Sequence, residues 1–127
     1  MAEAQDFGLA AEATADRLLE AWGFEILERR YRAPGQAELD RIVRRDGRYL
    51  YVEVKARHRP AAWEDRASLL AYGTRQSARQ LKSFLAYLTQ HKSAAKSGFQ
   101  DGEALGVLLY LSFDEQNVLQ DLELIPL

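Results

Sequence analysis

The sequence predicts an α/β domain in which helices pack on a mixed sheet, and three observations carry that reading. Apolar residues recur with helical period near the amino terminus and again beyond residue 74, two strand-like runs meet at Asp46-Gly47, and residues 105–111 (LGVLLYL) form a near-continuous apolar run. Such a run marks a strand covered on both faces. The 127 residues are 47% hydrophobic and 28% charged, a balance that suits one compact domain over residues 1–127 and excludes a disordered or fibrous chain. A chain of this length buries roughly two thirds of its unfolded surface, so it needs neither metal nor disulfide for stability, and any metal would be functional.

The elements follow in order. Phe7, Ala11, Ala15, Leu18 and Trp22 succeed one another at intervals of 4, 4, 3 and 4, which predicts an amphipathic helix over residues 5–22 stopped by Gly23. Phe24 to Arg32 reads as a strand that Ala33-Pro34-Gly35 breaks. A hairpin spans Glu38 to Arg57, because Asp46 and Gly47 both tolerate the positive φ of a two-residue turn. Residues 57–73 contain Pro60 and Gly73, show no clean period, and are read as a loop with a short helix at 63–71. Thr74 is the expected N-cap of a second long helix whose apolar stripe is Ala78, Leu81, Leu85 and Leu88. After a polar loop at 93–102 come the apolar strand, a turn around Asp114 to Asn117, and a final edge strand from Val118 to Ile125.

Composition narrows the function. The chain has no cysteine, which excludes disulfides, thiolate zinc sites and a cysteine nucleophile. The first residues lack the basic flank and apolar run of a signal peptide, and no apolar run approaches the ~18 residues of a membrane span, so a cytoplasmic protein is expected. No glycine-rich phosphate loop is present, and His58 and His91 stand isolated. The net charge is −2, but it is unevenly spread: residues 29–59 hold ten of the 17 Lys and Arg against four acids. Arg41, Arg45, Arg57 and Arg59 are read as flanking acids of the hairpin, where they would suit phosphate binding; a merely solubilising surface is the plainer alternative. Arg75, Arg79 and Lys82 share one face of the second helix and read as solvent-exposed.

The hairpin concentrates the chemistry. With Asp46-Gly47 as the turn, Arg45 faces Arg48, Val43 faces Leu50, Asp40 faces Glu53 and Glu38 faces Lys55. Opposed residues have Cβ atoms about 4.5–5.5 Å apart, and like charges there are destabilising. Two opposed carboxylates with a nearby ammonium suit a hard divalent cation, Mg²⁺ or Mn²⁺, and a phosphate. Such an ion can acidify water and stabilise a leaving oxygen, while the ammonium neutralises developing charge, which points to phosphodiester hydrolysis. For Glu53 and Lys55 alone a solvated strand face explains as much. Asp40 opposite Glu53 favours a site.

Asp40, twelve intervening residues, then Glu53-Val54-Lys55 resembles the core of the PD-(D/E)XK nucleases. The runs GLAAEATADRLLEAWGFEILERRYR, ELDRIV, YLYVEVKAR and ARQLKSFLAYL are similar to the small bacterial YraN-like predicted endonucleases and, through them, to archaeal Holliday-junction resolvases. That resemblance covers roughly residues 8–90 and implies a restriction-endonuclease-like fold, a mixed β-sheet flanked by helices. It implies a metal-dependent endonuclease acting on DNA, with branched DNA among the candidate substrates and a homodimer that places two sites on two strands. By the same resemblance Asp40, Glu53 and Glu12 hold the metal with the Val54 carbonyl, Glu38 is a further acid, and Lys55 is the catalytic lysine. Glu12 borders the apolar stripe of its helix, where a solvent-facing role is the alternative. Relatives carry an apolar residue where this chain has Arg41, and a lysine near the position of Arg75 and Gln76, which would inherit any nucleic-acid contact there. The alternative function is a catalytically silent domain of the same fold that binds nucleic acid or a protein.

Overall fold

A computed structural model of the chain describes residues 2–58, 78–91 and 105–127, with side chains from Phe7 onward. The expected short helix at 63–71, the Thr74 cap, the 93–102 loop, and the candidate residues Arg59, Arg75 and Gln76 lie outside the described residues. Helix α1 (Ala2–Ala21) is followed by strands β1 (Glu25–Tyr31), β2 (Leu39–Arg45) and β3 (Arg48–Arg57). Residues 78–90 form helix α2. Strands β4 (Gly106–Phe113) and β5 (Leu119–Pro126) complete a five-stranded sheet of order β1-β2-β3-β4-β5. All neighbours are antiparallel except β3 and β4, which run parallel and are connected through the chain segment that contains α2. The architecture is α/β and restriction-endonuclease-like, a mixed sheet flanked by two helices. No helix among the described residues is long and apolar enough to cross a membrane.

Each helix takes one face of the sheet. Ala11, Ala15 and Leu19 of α1 pack with Val43, Val52, Leu109 and Leu111. Ile42 and Tyr51, one residue out of phase, pack on the other side with Phe84, Tyr87 and Leu88 of α2. Gly23 ends α1 with φ of 89°. The Phe24 amide donates to the Leu19 carbonyl at 2.9 Å and the Gly23 amide to that of Glu20 at 3.0 Å, the paired closure a left-handed glycine permits. At the hairpin, Asp46 and Gly47 have φ of 52° and 76°, as a type I′ turn requires.

The stripe of α2 differs from the one its aliphatic spacing predicts. Leu85 is 39% exposed and Ala78 is also exposed, while Gln80, Ser83, Phe84, Tyr87 and Leu88 are buried. The sheet face beneath α2 presents rings: Tyr51 lies 5.3 Å from Phe84 and Tyr31 5.2 Å from Tyr87. Filling that face takes aromatic area, which outweighs the smaller gain from burying Leu85. Tyr51 also presses against its register partner Gly106, where a Cβ would fall 2.2 Å from the ring.

The hairpin register holds from Arg45↔Arg48 to Arg41↔Val52 and no further. Beyond Arg41 the backbones part. The Val54 amide, which a continuing ladder would give to a β2 carbonyl, donates instead to Asp40 Oδ2 at 2.8 Å. Ser83 Oγ donates to the Ala37 carbonyl at 2.9 Å, tying the approach to β2 to α2. The expected Glu38–Lys55 ladder pair is therefore corrected: Glu38 precedes β2 and is exposed.

Candidate nuclease site

The opening between β2 and β3 is one wall of a cleft of about 660 Å³. Glu12 from α1, Arg30 from β1, Glu38 just before β2, Asp40 near its start, and Glu53 and Lys55 from β3 line it. Five of the residues singled out in the sequence thus meet in one place, joined by Val54 in the same wall. Because the N–H and C=O of a strand residue point the same way, the Val54 carbonyl faces the gap that Asp40 has closed with its side chain.

Asp40 and Glu53 are the electrostatic centre. Burial raises the proton affinity of the Asp40 carboxyl, against the Val54 amide that favours its anion. Burial and then the neighbouring Asp40 charge push Glu53 up to about 7. With its pKa there, the Glu53 carboxyl is partly protonated near neutrality, because the Asp40 charge disfavours its ionisation. Lys55 eases both charges. Gln80, buried in α2 and not anticipated from sequence, donates Nε2 to Glu53 Oε2 at 2.8 Å and fixes that side chain. Gln80 lies one turn before Phe84, on the buried face of α2.

The remaining candidates separate. Glu12 borders the cleft but is held by Arg30 and approached by Arg41 Nη1 at 3.6 Å. Arg29 and Arg30 both reach acids of α1, which strand alternation forbids, and the φ of 50° at Arg30 is what breaks the alternation. Arg41, expected to bind nucleic acid, is corrected: it is 4% exposed, with Nε 2.6 Å and Nη2 3.2 Å from the two oxygens of Asp16. It also donates to the Asp40 carbonyl at 2.6 Å, so a site predicted to be apolar in relatives here carries an internal ion pair that fixes the backbone of Asp40. Arg45 is exposed but does not flank the acids as expected. It lies five residues from Asp40, roughly 17 Å along the strand, donates to the Trp22 carbonyl at 2.8 Å and covers the Phe24 ring. Arg57 is exposed at the cleft end of β3. Tyr49 and Tyr51 are packing residues: Arg44 bonds the Tyr49 hydroxyl at 3.1 Å, and Tyr51 is buried.

Among the described residues no three acidic or histidine side chains converge as a metal-ligand group. The donor chemistry nevertheless fits a hard divalent ion: two half-buried carboxyls that repel each other, and a strand carbonyl beside them. The model of "Uncharacterised protein family UPF0102" matches residues 11–108, from Ala11 through the cleft to β4. The chain belongs to this family, the YraN-like one. A UPF0102 protein of Synechococcus sp. (strain JA-3-3Ab) is 36% identical over 92 residues, 72% of this chain and 68% of that protein. Another, from Bradyrhizobium sp. (strain ORS 278), is 42% identical over 89 residues, 70% of this chain and 59% of the relative. A third, from Methylorubrum populi, is 41% identical over 88 residues, 69% of this chain and 66% of the relative. The matched segment thus spans about six- to seven-tenths of the length of these UPF0102 proteins. Glu12, Asp40, Glu53 and Lys55 all fall within the segment the family model matches.

Proposed function

We propose that the protein is a metal-dependent nuclease, an endonuclease that hydrolyses DNA phosphodiester bonds. The observation that carries this reading is the apposition of Asp40 and Glu53 at the point where β2 leaves β3, with Lys55 in the same cleft. Buried like charges destabilise a fold unless a cation accompanies them, and the strand geometry here brings them together.

Asp40, Glu53 and the Val54 carbonyl would hold Mg²⁺ or Mn²⁺, with Glu12 available once released from Arg30. Bound there, the ion supplies Lewis acidity to phosphoryl oxygens and acidifies water. The chain's own residues do the rest. The Val54 amide and Gln80 keep the two carboxyls in fixed rotamers, so no reorganisation accompanies substrate arrival. Lys55 places positive charge where a phosphoryl oxygen gains negative charge, and it orients the attacking oxygen. Arg57, exposed at the end of β3, meets the flanking phosphate.

Labelled linear, single-stranded and four-way-junction DNA, incubated with the protein in Mn²⁺ and in EDTA, tests the reading against Asp40→Asn. Cutting that needs the ion and disappears in the variant is expected; absence of cutting by folded wild type on all three substrates would sink it. One observation favours the rival reading of a silent binding domain. Glu12 is engaged by arginines, which leaves the converging acids at two. That reading requires salt-sensitive DNA binding that survives Asp40→Asn and is accompanied by no cleavage.

A further inference from the structure

A second cleft, of about 370 Å³, lies on the other side of the segment leading into β2. Arg32, Gly35, Gln36, Ala37, Arg79 and Lys82 line it. Among the described residues it is lined by three cations and no acid. All three are exposed. Among the described residues Arg29, Arg30, Arg41 and Arg44 are each paired with a carboxylate, whereas Arg32, Arg79 and Lys82 are paired with none. Three cations drawn from separate parts of the chain repel one another, and a concave wall between them focuses that field on whatever anion enters.

The two clefts adjoin. Ala37 lines the second and Glu38 the first, while Gln80, next to Arg79, grips Glu53. The Ser83 bond to the Ala37 carbonyl fixes the α2 cations relative to the Gly35–Ala37 segment and hence to Asp40. A strand whose scissile phosphate sits at the acid pair must carry neighbouring phosphates a few ångströms away on either side.

We propose that this cleft is a backbone-phosphate site that holds the nucleic-acid strand flanking the acid cleft. The identity of the ligand rests on the nuclease reading; the location of the site rests on the charge and shape of the cleft. Arg32 and Arg79 present planar guanidiniums to phosphate oxygens and Lys82 a point charge.

The test is the salt dependence of binding to labelled duplex DNA in EDTA, followed by fluorescence anisotropy over roughly 50 to 200 mM salt. Wild type is compared with the Arg32→Gln/Arg79→Gln/Lys82→Gln triple variant and with Arg17→Gln, an exposed cation on α1 outside both clefts. Each phosphate contact contributes roughly 0.9 to the slope of log K against log salt, so the triple variant is expected to lose about 2 to 3 from it. Arg17→Gln is expected to leave the slope unchanged, and Arg32→Lys/Arg79→Lys to preserve most of it. Thermal melts confirm that each variant is folded. A wild-type slope in the triple variant, or no binding by wild type at the lowest salt, overturns the phosphate site. If that variant keeps the slope in a protein that cuts DNA, the nuclease reading stands alone; if the slope falls in a protein that never cuts, the phosphate site stands and the nuclease reading fails.

Discussion

Asp40 and Arg41 are adjacent in β2 and both carry largely buried charge, yet they sit in opposite circumstances. Arg41 points toward α1 and finds Asp16 in two-point contact, with Glu12 behind it. Asp40 points into the cleft and finds another carboxyl. One face of the strand neutralises its charge and the other confronts it with its like. Burial of a charge does not by itself mark a site: the ion pair at Arg41 belongs to the fold, and the like-charged pair at Asp40 is where the proposed chemistry is placed.

Breaking the neutralised side should have the largest effect. Asp16→Ala leaves the Arg41 guanidinium buried with only the more distant Glu12, and removing one partner of such a pair costs roughly 3–5 kcal/mol. Chemical denaturation of wild type and variant measures it. A loss under about 1 kcal/mol would place the pair with ordinary surface salt bridges and erase the contrast with Asp40.

The acid pair predicts the opposite sign. In the folded chain Glu53 titrates at about 7, above its ordinary 4.5, so it favours folding while protonated. That contribution is complete below pH 4.5 and is lost as pH rises through 7; the raised proton affinity of Asp40 acts in the same direction. Glu53→Gln keeps a neutral side chain at every pH and should therefore be more stable than wild type at pH 8, by roughly 1–3 kcal/mol after allowance for solvent near the cleft mouth, and no more stable at pH 4. Melting temperatures at the two pH values decide. A variant less stable at both would show that the carboxyl is not strained.

A cation should relieve the same strain. At ten times its Kd, Mn²⁺ bound only by the folded state raises stability by about 1.4 kcal/mol. The shift should be larger at pH 8 than at pH 5, where protons occupy the carboxyls, and should vanish in Asp40→Asn. An equal shift in wild type and Asp40→Asn would locate the ion elsewhere.

What could be read from residues alone follows from where local rules governed. The Asp46-Gly47 turn was legible because its φ values admit few residues, and it carried the register as far as Arg41 opposite Val52, one step short of the expected Asp40–Glu53 ladder pair. The Gly23 stop was legible for the same reason. The α2 stripe was not, because Phe84 and Tyr87 were chosen by rings on a sheet face that sequence does not display. Arg41 and Gln80 were missed on the same ground: their partners Asp16 and Glu53 are 25 and 27 residues away. The end of the ladder at Arg41 was also hidden, since alternation continues in sequence past the point where the Asp40 side chain replaces a backbone acceptor.

The smallest effect separates fixing Glu53 from merely filling space. Gln80 donates to Glu53, and a donor favours the carboxylate, so Gln80 holds the proton affinity of Glu53 below what burial alone would give. Gln80→Leu keeps most of the volume and removes the donor, at a cost near 1 kcal/mol above pH 7. Below pH 5, where Glu53 is protonated in both proteins, the difference should shrink toward zero. The decline should still begin near pH 4.5, while the pH at which it is complete should move up by somewhat under one unit, ~0.7 for 1 kcal/mol. A loss of stability that is the same at every pH would mean that Gln80 serves packing alone, and the pairing of a fixed carboxyl with a strained one would then rest on Asp40 and the Val54 amide.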